Sequence, residues 1–120
     1  MKICHVINSL NRGGAESHLL ELAKAQNNEG LLIDIVVIGK DNKNIFSIEQ
    51  ELIKCCNNIF RHNGPRMMNL FSYFKLNNLI KNNEYDIIHS HQPRSDYMIH
   101  ILKKYVFSKT LFKWIVSIHG

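Results

Sequence analysis

Two prolines in 120 residues, and no stretch crowded with glycine or serine, leave this sequence without a recognisable linker. A chain of this length without such punctuation is expected to form one domain with its own core. Its three cysteines, Cys4, Cys55 and Cys56, supply neither a disulfide framework nor a C-x-x-C metal knuckle. Cys4 reads as a small buried hydrophobe. No apolar run is long enough to span a bilayer. Met1-Lys2 leads straight into a strand-like segment containing His5 and Asn8, so no signal peptide is read. These absences predict a reduced, cytoplasmic protein. The chain also lacks any nucleic-acid motif. Its net charge of +5 and pI near 9.2 come from scattered basic residues. That balance suits an anionic ligand or an anionic membrane surface, and nucleic acid is not an expected partner. Hydrophobic residues at 45% and charged residues at 21% exclude a disordered chain.

What is present is alternation. Lys2 to Ile7 reads as a buried strand, and Ala15 to Glu29 as a helix with Ala15, Leu19, Leu22 and Ala23 on one face. Gly30 supplies the helix stop. Leu31 to Ile38 is almost continuously apolar, as expected of a strand covered on both sides. A helix is predicted over Ile45 to Cys56, then a short strand at Asn58 to Arg61. Gly64-Pro65 opens a helix running to about Asn82. Tyr85 to Ser90 is the fourth strand, Asp96 to Phe107 a helix, and Lys113 to Ile118 the fifth strand. The expectation is a doubly wound, Rossmann-like parallel sheet with strand order 3-2-1-4-5. In that order the segments after strands one, four and five meet at the switch point of the winding, where ligands of such sheets bind.

Each of those segments carries suggestive chemistry. After strand one comes Asn8-Ser9-Leu10-Asn11-Arg12-Gly13-Gly14-Ala15-Glu16. A Gly pair where a strand turns into a helix lets the backbone approach a ligand and aims amide N–H groups at it, which suits a phosphate or carboxylate. The pair is neither a dinucleotide fingerprint nor a P-loop, and alone it also fits a plain tight turn. Strand four ends in His89-Ser90-His91-Gln92-Pro93-Arg94. His89 reads as a hydrogen-bonded histidine inside the sheet, whereas His91 and Gln92 fall past the strand end. H-x-H spacing occurs in metal hydrolases, but no carboxylate except distant Asp96 accompanies it, so no metal is assigned. Ser95 or Asp96 reads as a helix N-cap. His119-Gly120 follows strand five.

Taken in order, Gly13-Gly14-Ala15-Glu16, Tyr85-Asp86-Ile87-Ile88-His89-Ser90-His91 and Val116-Ser117-Ile118-His119-Gly120 resemble the N-terminal domain of retaining GT-B glycosyltransferases of family four. The resemblance covers essentially residues 1–120. It implies the N-terminal, acceptor-side half of a GT-B architecture, acting on a nucleotide-sugar donor and a glycan or lipid-linked acceptor, as in polysaccharide biosynthesis. Gly13, Gly14 and Ala15 would approach the donor diphosphate, and His119 would sit at the sugar as the catalytic contact. His91, Gln92 and Arg94 would line the acceptor side of the cleft. The resemblance also implies a reaction that needs neither metal nor cofactor. The family's second, nucleotide-binding domain with its E-x7-E element is not found in these residues. Glu21 and Glu29 have the spacing but lie on the first helix, where they read as surface charges. A truncated or split enzyme, inactive alone and completed by a separately encoded donor domain, is the expectation. The alternatives are a non-catalytic module of the same fold and an epimerase or metal-hydrolase fragment.

Arg66 to Leu76 is rich in Met, Phe and Tyr with basic residues at its edges. Helical spacing assigns Met67, Leu70, Phe71 and Phe74 to the core. The surplus of Met68, Tyr73 and Leu76 points to a surface patch for a partner or for a lipid interface, the latter at the inner face of the membrane.

Overall fold

The computed structural model describes residues 1–11, 13–39, 47–61, 78–91 and 99, and the backbone of 113–116. Five strands form one parallel sheet: β1 (Lys2–Ile7), β2 (Leu32–Val37), β3 (Asn58–Arg61), β4 (Ile87–Ser90) and β5 (Lys113–Val116). Their order is β3-β2-β1-β4-β5, as the alternation predicted. Helices α1 (Gly14–Asn28) and α2 (Glu49–Ile53) connect the first three strands. Residues 78–83 form a further helical segment before β4.

Alternate residues of each strand face opposite layers, and both faces are apolar. Ile7, Ile33, Ile35 and Val37 pack under Leu19, Leu20 and Ala23 of α1 and Leu52 of α2. Cys4, Val6, Val36 and Ile88 pack on the other side with Ile80, Tyr85 and Ile99. Burial on both sides explains why β2 shows no polar alternation. Its single acid, Asp34, is only 1% exposed. Tyr85 Oη donates to Asp34 Oδ2 at 2.6 Å, and Asn58 Nδ2 donates to Asp34 Oδ1 at 3.0 Å. Burial above all holds the Tyr85 phenol far above its ordinary pKa, so it is a permanent donor.

Helix α1 ends where the sequence placed its stop. Gly30 has φ of 82°, its N–H donates to Asn27 O at 3.0 Å, and Leu31 N–H donates to Gln26 O at 3.1 Å. Those two bonds make a Schellman cap, which favours glycine because a Cβ is strained at that φ.

Two elements are shorter than predicted. Helix α2 begins at Glu49 because Ser47 pairs with Asn11 in an isolated antiparallel bridge and Ile48 N–H donates to Leu10 O. Ser47 Oγ then accepts from Glu49 N–H at the helix start. Strand β4 begins at Ile87 rather than Tyr85. Glu84 takes φ of 50° at the end of the preceding helical segment, and the Tyr85 side chain turns to Asp34. Of the helix predicted to run to about Asn82, the part over 65–77 lies outside the described residues, as does the helix predicted over 96–107 apart from helical Ile99. Among the described residues no helix is long and apolar enough to cross a membrane.

Burial pushes the Cys4 thiol well above its ordinary pKa and Cys56 up to about 11, and it raises Cys55 too. All three remain thiols near neutrality, which disfavours nucleophilic chemistry.

Candidate functional site

The carboxyl ends of β1 and β4 lie side by side, because Ile3 to Val6 pair in register with Ile87 to Ser90. The first segment to emerge there is the Gly pair. Gly13 is extended, with φ of −168°, and its carbonyl accepts the first helical bond of α1 from Ser17 N–H at 2.9 Å. Among the described residues no side chain caps this helix start. Both glycines are exposed. They differ in what surrounds them. A Cβ on Gly13 would stand 2.8 Å from Glu16 Oε2, whereas a Cβ on Gly14 would meet nothing within 4 Å. Glu16, 7% exposed, therefore lies against Gly13 in the first turn, where its charge complements the helix dipole. Among the described residues, open space remains over Gly14.

Beneath this loop lies a buried group of imidazoles. His5 stands directly opposite His89 across the β1–β4 pairing, with ring centroids 5.1 Å apart, close to the spacing of neighbouring strands. His91 lies two residues past His89 on the same side and stacks on it, with centroids at 4.1 Å and planes 17° apart. Its own N–H donates to Val6 O at 3.1 Å, extending the pairing one rung past β4. His5 and His91 are fully buried and His89 is 8% exposed.

The protons of this group can be placed. His5 Nε2 lies 2.7 Å from Gln26 Oε1 on α1. A carbonyl oxygen only accepts, so the proton is on His5 Nε2 and its Nδ1 carries a lone pair. His5 Nδ1 in turn lies 2.8 Å from His91 Nε2, which therefore donates. Burial pulls the His5 pKa down to about 4; the Gln26 bond opposes this, and His89 and His18 add to the lowering. The ring is neutral at physiological pH. His18, exposed on α1, lies 6.4 Å from His91 between ring centroids.

The structure thus brings Gly13, Gly14 and Ala15 to the same end of the sheet as His91. It seats His91 in the interior, against His5 and His89, rather than on an exposed loop. Gln92, Arg94 and His119 lie outside the described residues. Sequence reasoning missed His5, which is 84 residues from His89. The signal was available: a histidine in the middle of strand one and another in strand four, in an order that makes those strands neighbours.

Fold and site together define a doubly wound, Rossmann-like α/β domain with an open glycine loop at its switch point. No curated protein matches the sequence. The sequence profile of Glycosyltransferase Family 4 matches residues 12–120, and the chain belongs to that family. Two solved structures share the fold. The C-terminal domain of a hydrogenase from Pyrococcus furiosus superposes with a TM-score of 0.63 at 13% identity, covering 99% of this chain and 91% of that one. Anabaena HepE, solved in complex with UDP and glucose, superposes with a TM-score of 0.60 at 18% identity. It covers 100% of this chain, which spans only 30% of HepE.

Proposed function

We propose that this chain is the acceptor-side part of a retaining glycosyltransferase that takes its sugar from a nucleotide-sugar donor. The observation that carries this reading is the uncapped start of α1 at Gly13-Gly14, open above Gly14, at the switch point of a family-four domain. The first-turn amides and helix dipole offer positive potential to a diphosphate, and the net charge of +5 agrees with an anionic ligand. That HepE was crystallised with UDP and glucose supports the donor class.

In the proposed reaction the bond between the anomeric carbon and the diphosphate oxygen breaks. An acceptor hydroxyl bonds to the same face of that carbon, and its proton passes to the departing diphosphate. Preorganised amides at Gly14 and Ala15 stabilise the charge growing on the leaving group. His119 contacts the sugar. Gln92 and Arg94 face a glycan or lipid-linked acceptor, while His91, held from below, fixes the start of their segment. A second domain, on this chain's continuation or a separate subunit, holds the nucleotide.

Gly14 separates binding from folding. Because a Cβ there meets nothing, Gly14→Ala leaves stability unchanged or raises it by up to about 1 kcal/mol through helix propensity. The larger, acidic Gly14→Asp folds too, yet it fills and charges the space assigned to the diphosphate. UDP binding, followed by saturation-transfer NMR, should fall at least tenfold in Gly14→Asp while the melting curve holds. Undiminished binding would remove the diphosphate from this loop.

The protein is further proposed to be cytoplasmic and peripheral at the inner face of the membrane, through the aromatic segment near 67–79, of which residues 67–77 lie outside the described set. Co-sedimentation with anionic vesicles should weaken with salt and with Phe71→Asp. Sedimentation indifferent to both would refute it.

A further inference from the structure

We propose that His5, His89 and His91 form a binding site for one divalent transition-metal ion of the zinc class, seated between the sheet and α1. Three nitrogen donors converge there from two adjacent strands, all buried, with their ligating atoms within 4.8 Å of one another. Tetrahedral zinc with Zn–N bonds of about 2.0–2.1 Å places its ligand nitrogens about 3.3 Å apart, inside that span. The 2.8 Å contact between His5 Nδ1 and His91 Nε2 now holds one shared proton. Ligation through His91 Nε2 moves that proton to His91 Nδ1, which keeps the ring neutral, and parts the two nitrogens by about 0.5 Å, a movement within the reach of small ring rotations.

The second feature of a built site is the support of its ligand. Ligating histidines almost always donate their other ring N–H to a carbonyl or carboxylate, which fixes tautomer and ring angle. His5 does so to Gln26 Oε1 at 2.7 Å, and the bond leaves Nδ1 aimed at the cluster. An H-x-H pair on one strand face supplies the other two donors, stacked at 4.1 Å. The donor set contains no carboxylate or thiolate. It therefore selects zinc, copper, nickel or cobalt over magnesium and calcium, which prefer oxygen. With three ligands fixed, a fourth position remains for water or for a side chain entering from the side of α1.

This goes beyond the transferase reading and is independent of it. The ion is assigned no step in sugar transfer. Its effect is to tie β1, β4 and, through Gln26, α1 together below the glycine loop.

The test uses the 120-residue chain, stripped with chelator and titrated with Co²⁺ alone. One equivalent should produce visible d–d absorption of a low-symmetry nitrogen site, and Zn²⁺ should bleach it. Because His5→Ala or His89→Ala could unfold the core, the decisive readout is made on the unaltered sequence. Added Zn²⁺ should shift the imidazole NMR signals of His5, His89 and His91 and leave those of His62, His100 and His119 in place. Gln26→Ala, half-buried on α1, should fold normally and bind about 10- to 100-fold more weakly. Absence of d–d absorption at millimolar Co²⁺, or shifts confined to the other histidines, would overturn the assignment.

Discussion

Supplied with nucleotide-sugar and acceptor, the purified 120-residue chain is expected to turn over no donor above the protein-free background. Retaining transfer depends on holding donor and acceptor together in a closed, dry cleft, and orientation alone supplies about 7–11 kcal/mol of barrier reduction. The described part of this chain offers a diphosphate one helix start and an open space over Gly14. Nothing among the described residues is placed to enclose a base or ribose, and the chain spans 30% of HepE. Donor affinity should accordingly be weak, on the order of millimolar or poorer. Radiolabelled sugar transfer measured over hours is the check. Turnover by this chain, abolished by His119→Ala, would show that the proposed second domain is unnecessary.

The second large effect concerns stability. Asp34→Ala should lower folding free energy by about 2–4 kcal/mol and the melting temperature by about 10 °C. The carboxyl accepts from Tyr85 in the turn before β4 and from Asn58 in β3, so one side chain joins three segments of the sheet. Removing it takes the carboxylate acceptor from the Tyr85 hydroxyl and leaves it only the weak Cys4 thiol, in a site where the whole residue is only 5% exposed. Tyr85→Phe alone should cost less, since it leaves Asp34 its Asn58 partner. In the Asp34→Ala background, Tyr85→Phe should recover part of the loss, because no buried hydroxyl then lacks its carboxylate acceptor. Strict additivity of the two substitutions in thermal or urea unfolding would argue that the bond carries no coupling.

Which features were legible in the sequence follows from which were local. Leu31 to Ile38 announced a doubly covered strand because Ile33 to Ile38 are buried without alternation, and Gly30 announced the end of α1 because the cap demands positive φ. The strand order followed from alternation and crossover handedness without reference to any one side chain. The ends of α2 and β4 were not legible. Each is set by a partner remote in sequence: Asn11 and Leu10 for the start of α2, Asp34 for Tyr85. The histidine group was half legible. H-x-H showed two donors on one strand face, but the third lies across the β1–β4 pairing, and only strand order combined with register brings it there. His91, marked for a ligand role by its position past the strand, is held inward by its bond to His5 and its stacking on His89.

The central claim is that the glycine loop at the start of α1 is the donor's diphosphate site, and amide NMR on the ¹⁵N-labelled chain tests it most directly. Titration with UDP to about 10 mM should move the amides of Gly13, Gly14 and Ala15 along a single saturable curve, with uridine alone giving far smaller shifts at those positions. Amides of Gly13, Gly14 and Ala15 that stay fixed while others move, or shifts that uridine reproduces in full, would contradict it.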